Sequence, residues 1–347
     1  MPADSAPLPG TLKGASVAAS GQLGKVGQCL DTRQGARPWQ IGLQITHLPS
    51  DMLTSRLSKM LLPPKYAAGD APITVASISG PIDPTVPAKP FIKWVGGKRS
   101  ILPQLMARMP KEYGDYVEPF VGGGALFFAV RPKRAFLSDV NLHLVVAYGA
   151  VRDNVEEVIR LLKRHKDKHS KAYYLEARKR LAEEPNPVVI ASLLIYLNKT
   201  GYNGLYRVNG AGEYNVPIGD YVSPNIVDEE TLRADSRVLT SASIEQGDFS
   251  QVRPRKNAFY YLDPPYHETY DGYSGAGFDD DKHRELAQFC NKIDKRGGWF
   301  MLSNSDTSLV RALWGKYHVE EIQSARSVSC KSYSRGKANE LVIRNYR

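Results

Sequence analysis

The apolar positions of this chain fall into two regimes. Up to about residue 88 they follow no sustained period. From Pro90 onward, short apolar runs that end on an acid or a glycine alternate with longer stretches of helical spacing. Y-V-E-P-F (116–120), R-A-F-L-S-D (134–139), 242–246, 258–263 and W-F-M-L-S-N (299–304) predict strands, and β-type runs at 317–323, 326–333 and 340–346 close the chain. Helical spacing marks 125–130, 141–150, 155–165, 172–184, 187–198, 280–295 and 307–314, and a glycine- and asparagine-rich loop fills 200–225. Strands alternating with helices predict an α/β fold with a doubly wound, mostly parallel sheet. The helical stretch 155–235 interrupts the alternation and predicts a smaller inserted domain between 89–154 and 236–347. Residues 1–88 are rich in Pro, Gly, Ala and Ser and contain no glutamate. That composition predicts a disordered extension, inside which Met52 and Met60 offer alternative starts.

Composition narrows the setting. With 42% hydrophobic and 24% charged residues, the chain reads as an ordinary soluble protein, and it has no apolar run long enough for a membrane span. The formal net charge is +10. Residues 1–89 hold eight Lys and Arg against five Asp, so +7 belongs to the patterned part. Such an excess favours a polyanionic partner, nucleic acid first. Cys29, Cys290 and Cys330 are scattered, and the histidines lack ligand spacing, so a reducing cytosol fits and no metal is expected.

Two stretches carry candidate chemistry. In the first, strand 116–120 runs into Gly122-Gly123-Gly124 and a helix, and the next strand ends on Asp139, 17 residues after Gly122. Strand, glycine turn, helix, strand and acid is the order of a nucleoside site, where the carboxylate accepts from ribose hydroxyls. A dinucleotide fingerprint needs a small residue where Phe127 stands. A P-loop needs Ser or Thr where Arg99 stands and glycine where Ile92 stands. Taken alone, a triple glycine is also a plain turn. F-I-K-W-V-G-G-K (91–98) precedes this unit; Trp94 and Lys98 suit a cofactor and Lys93 a polyanion, though a basic surface turn has the same composition. In the second, the apolar strand A-F-Y-Y-L stops on Asp263-Pro264-Pro265-Tyr266. The prolines stiffen the backbone and leave its carbonyls free to accept. A carboxylate and a carbonyl that both accept from an exocyclic amine localise the nitrogen lone pair, while Tyr266 stacks on the base. His267 beside this motif reads as a polar loop residue.

Together these motifs resemble the Dam-type, D12-class N6-adenine DNA methyltransferases. The resemblance rests on P-F-I-K-W-V-G-G-K-R, V-E-P-F-V-G-G-G-A-L-F-F, L-S-D-V-N, Y-L-N-K-T-G-Y-N-G-L-Y-R-V-N, E-Y-N-V-P-I-G, D-P-P-Y and M-L-S-N-S-D, in that order, and covers Lys89 to Tyr346. It implies a seven-stranded Rossmann-like methyltransferase sheet with 155–235 as target-recognition domain. It implies S-adenosylmethionine as donor, bound by Trp94, Lys98, Phe120, Gly122, Gly124, Asp139, Asp248, Phe249 and Asp263. It implies catalysis by Asp263, Pro264 and Tyr266, with Pro265 holding the motif's shape, and DNA contacts from Lys93, Lys199, Tyr202, Asn203, Arg207 and Asn209. A monomer acting on DNA in a bacterial or phage-encoded cytoplasmic setting, within restriction–modification, is the expected context. None of the cysteines follows a proline, consistent with direct transfer and no covalent base adduct. Val208 and Ala211 replace a tyrosine and an arginine used by enterobacterial GATC enzymes, and the glycine-containing stretch 267–278, suited to a lid, replaces a serine- and threonine-rich loop. The target is therefore GATC or a different or relaxed site. N4-cytosine transfer and an inactive DNA-binding regulator remain as alternatives.

Overall fold

Five of the apolar runs become parallel strands. In the computed structural model, which describes residues 88–268, 277–325 and 337–347, these are β1 (Tyr116–Glu118), β2 (Ala135–Asp139), β3 (Ala242–Gln246), β4 (Phe259–Leu262) and β5 (Trp299–Ser305). The central β1 and β4 are buried on both faces, while the outer β3 exposes alternate residues. Two antiparallel strands, β6 (His318–Ala325) and β7 (Lys337–Arg344), complete a seven-stranded sheet of order β3-β2-β1-β4-β5-β7-β6. The expected doubly wound, mostly parallel sheet is therefore present. The run 326–333 lies outside the described residues, as do the expected extension up to residue 87 and most of the expected lid, 269–276.

Alternation along the strands builds a core on each side of the sheet. On one face Phe259, Tyr261 and Met301 pack in the same cluster as the helices Leu142–Asp167 and Pro187–Thr200. On the other, Tyr260, Leu262, Phe300 and Leu302 meet Leu286, Phe289 and Ile293 of a helix at Asp280–Arg296 and Trp314 of another at Ser308–Trp314. From β1 the chain winds outward through β2 to β3; from β4 it winds outward the other way. The order reverses between β1 and β4, and a crevice at such a switch point receives ligands beyond the carboxyl ends of the strands. Because β7 runs against its neighbours, its early residues share that same rim. Glu340 pairs in register with Ser305, the last residue of β5.

The helical stretch departs from its sequence pattern in two ways, and continuous helices run through both expected bounds, 155 and 235. The runs expected at 141–150 and 155–165 form one helix, Leu142–Asp167, irregular at Asn154 (φ −141°, ψ 37°) and capped by Asn141, whose side chain accepts from the Leu144 amide. A further helix, Glu229–Leu239, starts on the Asp228 cap and buries Leu232, Val238 and Leu239. Its apolar positions are few, and its start is marked by capping chemistry more than by periodicity.

Asn198, on the helix Pro187–Thr200 and 1% exposed, ties that helix to the start of the patterned chain. Its Oδ1 accepts from the Lys93 amide, and its Nδ2 donates to the carbonyls of Lys93 and Gly204. Asn198→Ala strands three backbone groups at once. A loss of roughly 2–4 kcal/mol of stability is expected, measured as a lower urea midpoint with an unchanged slope.

Candidate active site

The glycine turn and the acid-ended strands converge at the switch point. After β1 the chain turns through Gly122 (φ +45°) and Gly124 (φ +66°), left-handed conformations that favour glycine. Space enforces the same choice. A Cβ on Gly122 would lie 2.8 Å from Cδ1 of Trp94, and one on Gly124 would lie 2.7 Å from the Tyr148 hydroxyl. The turn is fastened by Tyr148 Oη, which donates to the Gly122 carbonyl at 3.0 Å. One strand over, Asp139 accepts from the amides of Gly122 (3.1 Å, Oδ2) and Asn141 (2.9 Å, Oδ1). Burial pushes its carboxyl up to about 6, against the pull of those amides. Beyond β3, Asp248 caps a short 3-10 helix, Phe249–Gln251, by accepting from the Ser250 amide. Phe120, Phe249 and Phe278 form an aromatic cluster beside it, with ring centroids 5.3–6.0 Å apart.

These groups fit a nucleoside-containing donor. Each Asp139 oxygen already accepts one amide and has a lone pair left for a ribose hydroxyl, and the half-buried Phe120 and Phe278 offer aromatic edges. Trp94 walls the turn from above, packed on Gly122 and stacked on Tyr206 with centroids 5.4 Å apart.

The second half of the site lies at the end of β4. Lys98 Nζ forms an ion pair with Asp263 Oδ2 at 2.8 Å, donates to the Gly96 carbonyl at 2.5 Å, and sits 4.8 Å from the Tyr266 ring centroid. Asp263 Oδ1 is buried and has no hydrogen-bond partner. Such an oxygen is costly unless a ligand supplies the donor. Burial pushes Asp263 up to about 6; Lys98 pulls it down and Glu340 pushes it further up. Glu118, at the end of β1, accepts from Tyr116 Oη at 2.8 Å, and burial holds it well above the usual carboxylate range. Lys98 therefore touches the acid of the second half and belongs less to the glycine turn than the sequence suggested.

Of the expected DNA-facing residues, Lys93 is exposed, with Nζ 5.3 Å from the ring centroid of Tyr221. Tyr202 is 49% exposed on a turn whose middle residue, Asn203, has φ +54°. Three others are engaged within the protein. Arg207 Nε donates to Asn215 Oδ1 at 2.7 Å. Asn209 Oδ1 accepts from the amides of Ala211 and Glu213, shaping the hairpin tip. Lys199 is half-buried, and burial lowers its pKa. His267 is a tether: its ring nitrogens meet Thr307 Oγ1 at 2.8 Å and Asp280 Oδ1 at 3.0 Å.

A family model for D12 class N6 adenine-specific DNA methyltransferases matches residues 94–328. The chain belongs to that family. It is 37% identical over 271 residues to the type II methyltransferase M1.LlaDCHI of Lactococcus lactis subsp. cremoris, covering 74% of this chain and 95% of the relative. It is also 37% identical over 286 residues to the type II methyltransferase M.MjaIII of Methanocaldococcus jannaschii, covering 74% and 99%. The DNA adenine methylase of Escherichia coli K12 is 30% identical over 261 residues, covering 73% and 93%. This protein is thus an adenine-specific DNA methyltransferase, with DNA as substrate and a methyl donor as second reactant. Membership favours adenine N6 over cytosine N4 as the position methylated. Among the described residues, no helix is long and apolar enough to cross a membrane and no cluster of His, Cys, Asp or Glu is suited to a metal ion.

Sequence reasoning missed Glu118, Tyr206, His143 and Glu340. His143 Nδ1 lies 2.9 Å from Tyr206 Oη, and burial lowers the imidazole to about 4, so the pair is neutral near pH 7. Only Glu118 had a local signal, an acid ending an apolar strand. Asp139 and Asp263 are both raised, so the folded chain binds more protons than the unfolded one between about pH 4 and pH 6. Their contribution to stability is present at low pH and is lost as pH rises through that window. Carbon-detected NMR of the Asp263 carboxyl should give a midpoint near 6 in the wild type, and Lys98→Met should move it higher.

Proposed function

We propose that the methyl donor is S-adenosylmethionine and that the target adenine, flipped from the duplex, docks between Asp263 and Tyr266. The observation that carries this reading is the orphaned, buried Asp263 Oδ1 beside an aromatic ring at the switch point. In this reading Asp139 accepts from the ribose hydroxyls, Phe120 and Phe249 flank the donor's adenine, Asp248 faces its edge, and Gly122 and Gly124 let the backbone approach under Trp94. When bound, the sulfonium donor supplies an electrophilic methyl carbon.

The chain's own groups do the rest. Asp263 Oδ1 accepts one N6 hydrogen of the base and the Pro264 carbonyl accepts the other, which draws the nitrogen toward pyramidal geometry and localises its lone pair. Tyr266 stacks on the ring and fixes the approach, and such positioning is worth roughly 7–11 kcal/mol at best. Lys98 keeps Asp263 ionised, as an acceptor must be. After transfer the surplus N6 proton passes first to Asp263. His267, with both ring nitrogens engaged, stays a tether.

On the DNA side, the +7 of the patterned chain supports phosphate contacts, which offset the few kcal/mol that flipping costs. Residues 155–235 form the target-reading part in this reading. Lys93, Tyr202 and Asn203 face the duplex, while Arg207 and Asn209 shape the hairpin that meets it and Lys199 adds charge behind them. The engaged Asn209 and the replacements Val208 and Ala211 favour a recognition site other than GATC.

Asp263→Ala should abolish methyl transfer while DNA affinity stays within about tenfold, or 1.4 kcal/mol. Single-molecule sequencing of DNA from expressing cells reads both the modification and its site; N6-methyladenine persisting with Asp263→Ala refutes the assigned role. Donor affinity, measured by calorimetry with S-adenosylmethionine, should fall as pH drops through about 6, where Asp139 becomes protonated, and should lose that dependence in Asp139→Asn.

A further inference from the structure

Tyr266 does not stand alone over the base site. Its hydroxyl donates to Glu340 Oε2 at 2.8 Å, across 74 residues of sequence. Glu340 is the fourth residue of β7, paired with Ser305 at the end of β5 and with Ile322 of β6. The antiparallel course of β7 is what brings this side chain to the rim where the parallel strands end. Glu340 also lies beyond the last residue, 328, that the family model matches.

We propose that Glu340 is a positioning residue for methyl transfer, which holds the Tyr266 ring at the angle on which the target base stacks. The inference rests on the reading of Asp263 and Tyr266 as the base site. A tyrosine anchored only at its Cβ swings about two torsions. The bond from its hydroxyl to a strand in the middle of a hydrogen-bonded ladder removes that freedom at the ring's far end. The near face is occupied by Lys98 Nζ, 4.8 Å from the centroid, and Lys98 is itself held by Asp263 and Gly96. Tyr266 is thus fixed at its tip from β7 and bordered on its face by a cation from the segment before β1.

Glu340 acts on the acid as well. Asp263 is faced by Lys98, Glu118, Tyr261, Tyr266 and Glu340. Among these, Lys98 first and then a hydrogen bond with the Tyr266 side chain favour the ionised carboxylate, and the negative charge of Glu340 opposes it. Neutralising Glu340 therefore lowers the pH at which Asp263 becomes a competent acceptor.

The test compares steady-state methylation of a duplex carrying the sequenced target site by wild type, Glu340→Ala, Glu340→Gln, Tyr266→Phe and the Tyr266→Phe/Glu340→Ala double variant. Glu340→Ala should lower kcat about 10- to 100-fold, the loss of one charge-assisted hydrogen bond in a positioned site, with donor KM unchanged. Glu340→Gln keeps an acceptor of the same shape, so it should recover most of kcat and shift the acid limb of the pH–rate profile to lower pH. Tyr266→Phe should match Glu340→Ala, and the double variant should be no slower than either. Wild-type kcat in folded Glu340→Ala, additive losses in the double variant, or an unmoved acid limb in Glu340→Gln would each overturn the role of Glu340. A wild type that leaves adenine unmethylated sinks the base-site reading itself, so the two failures are distinct.

Discussion

The ion pair between Lys98 and Asp263 is the contact on which this site depends. A carboxylate at the end of a buried strand loses much of its hydration, and burial raises Asp263 to about 6 even with Lys98 beside it. Left alone it would be partly protonated near neutral pH and a poorer acceptor. Lys98 supplies the opposing charge at one oxygen and leaves the other bare. Such a pair contributes little net stability once desolvation is counted. Its value is that it presents an ionised acceptor in a poorly hydrated place, where a hydrogen bond to an incoming amine counts for more than in water.

The same trade recurs across the rim. Asp139, Asp263 and Glu118 end three neighbouring strands, and all three are raised by burial. Three acids so close repel one another and cost stability at working pH. The fold tolerates them because the apolar cores on both sheet faces anchor the strand bodies, while backbone amides, Lys98 and Tyr116 satisfy most of the exposed ends. The cost falls at the switch point, where a ligand can repay it.

Much of this was legible along the chain. The strand ending in D-P-P-Y, the glycine turn and the acid 17 residues after it are local signals, each explained by backbone geometry or strand periodicity. Their meeting followed from the alternation of strands and helices. What escaped was tertiary. Glu340 reads as one acid at the start of a β-type run, and only the insertion of β7 between β5 and β6 gives it Tyr266 as a neighbour. Tyr206 and His143 sit in a loop and a helix with no shared pattern, yet Tyr206 stacks on Trp94 and meets His143. Lys98 was legible as functional from its glycines, but its partner was not. The helix 229–239 was lost because its apolar stripe is thin and its start rests on a single cap.

The place of β7 also bears on how this half of the sheet closes. β7 follows β5 and β6 in the chain yet slots between them, so the two earlier strands meet only through the later one. Until that slot is filled, the tyrosine at the rim lacks its anchor and the sheet has a gap beside the crevice. A chain cut before β7 would keep the glycine turn and D-P-P-Y, yet it would lack both the middle strand of this half of the sheet and the carboxylate that meets Tyr266.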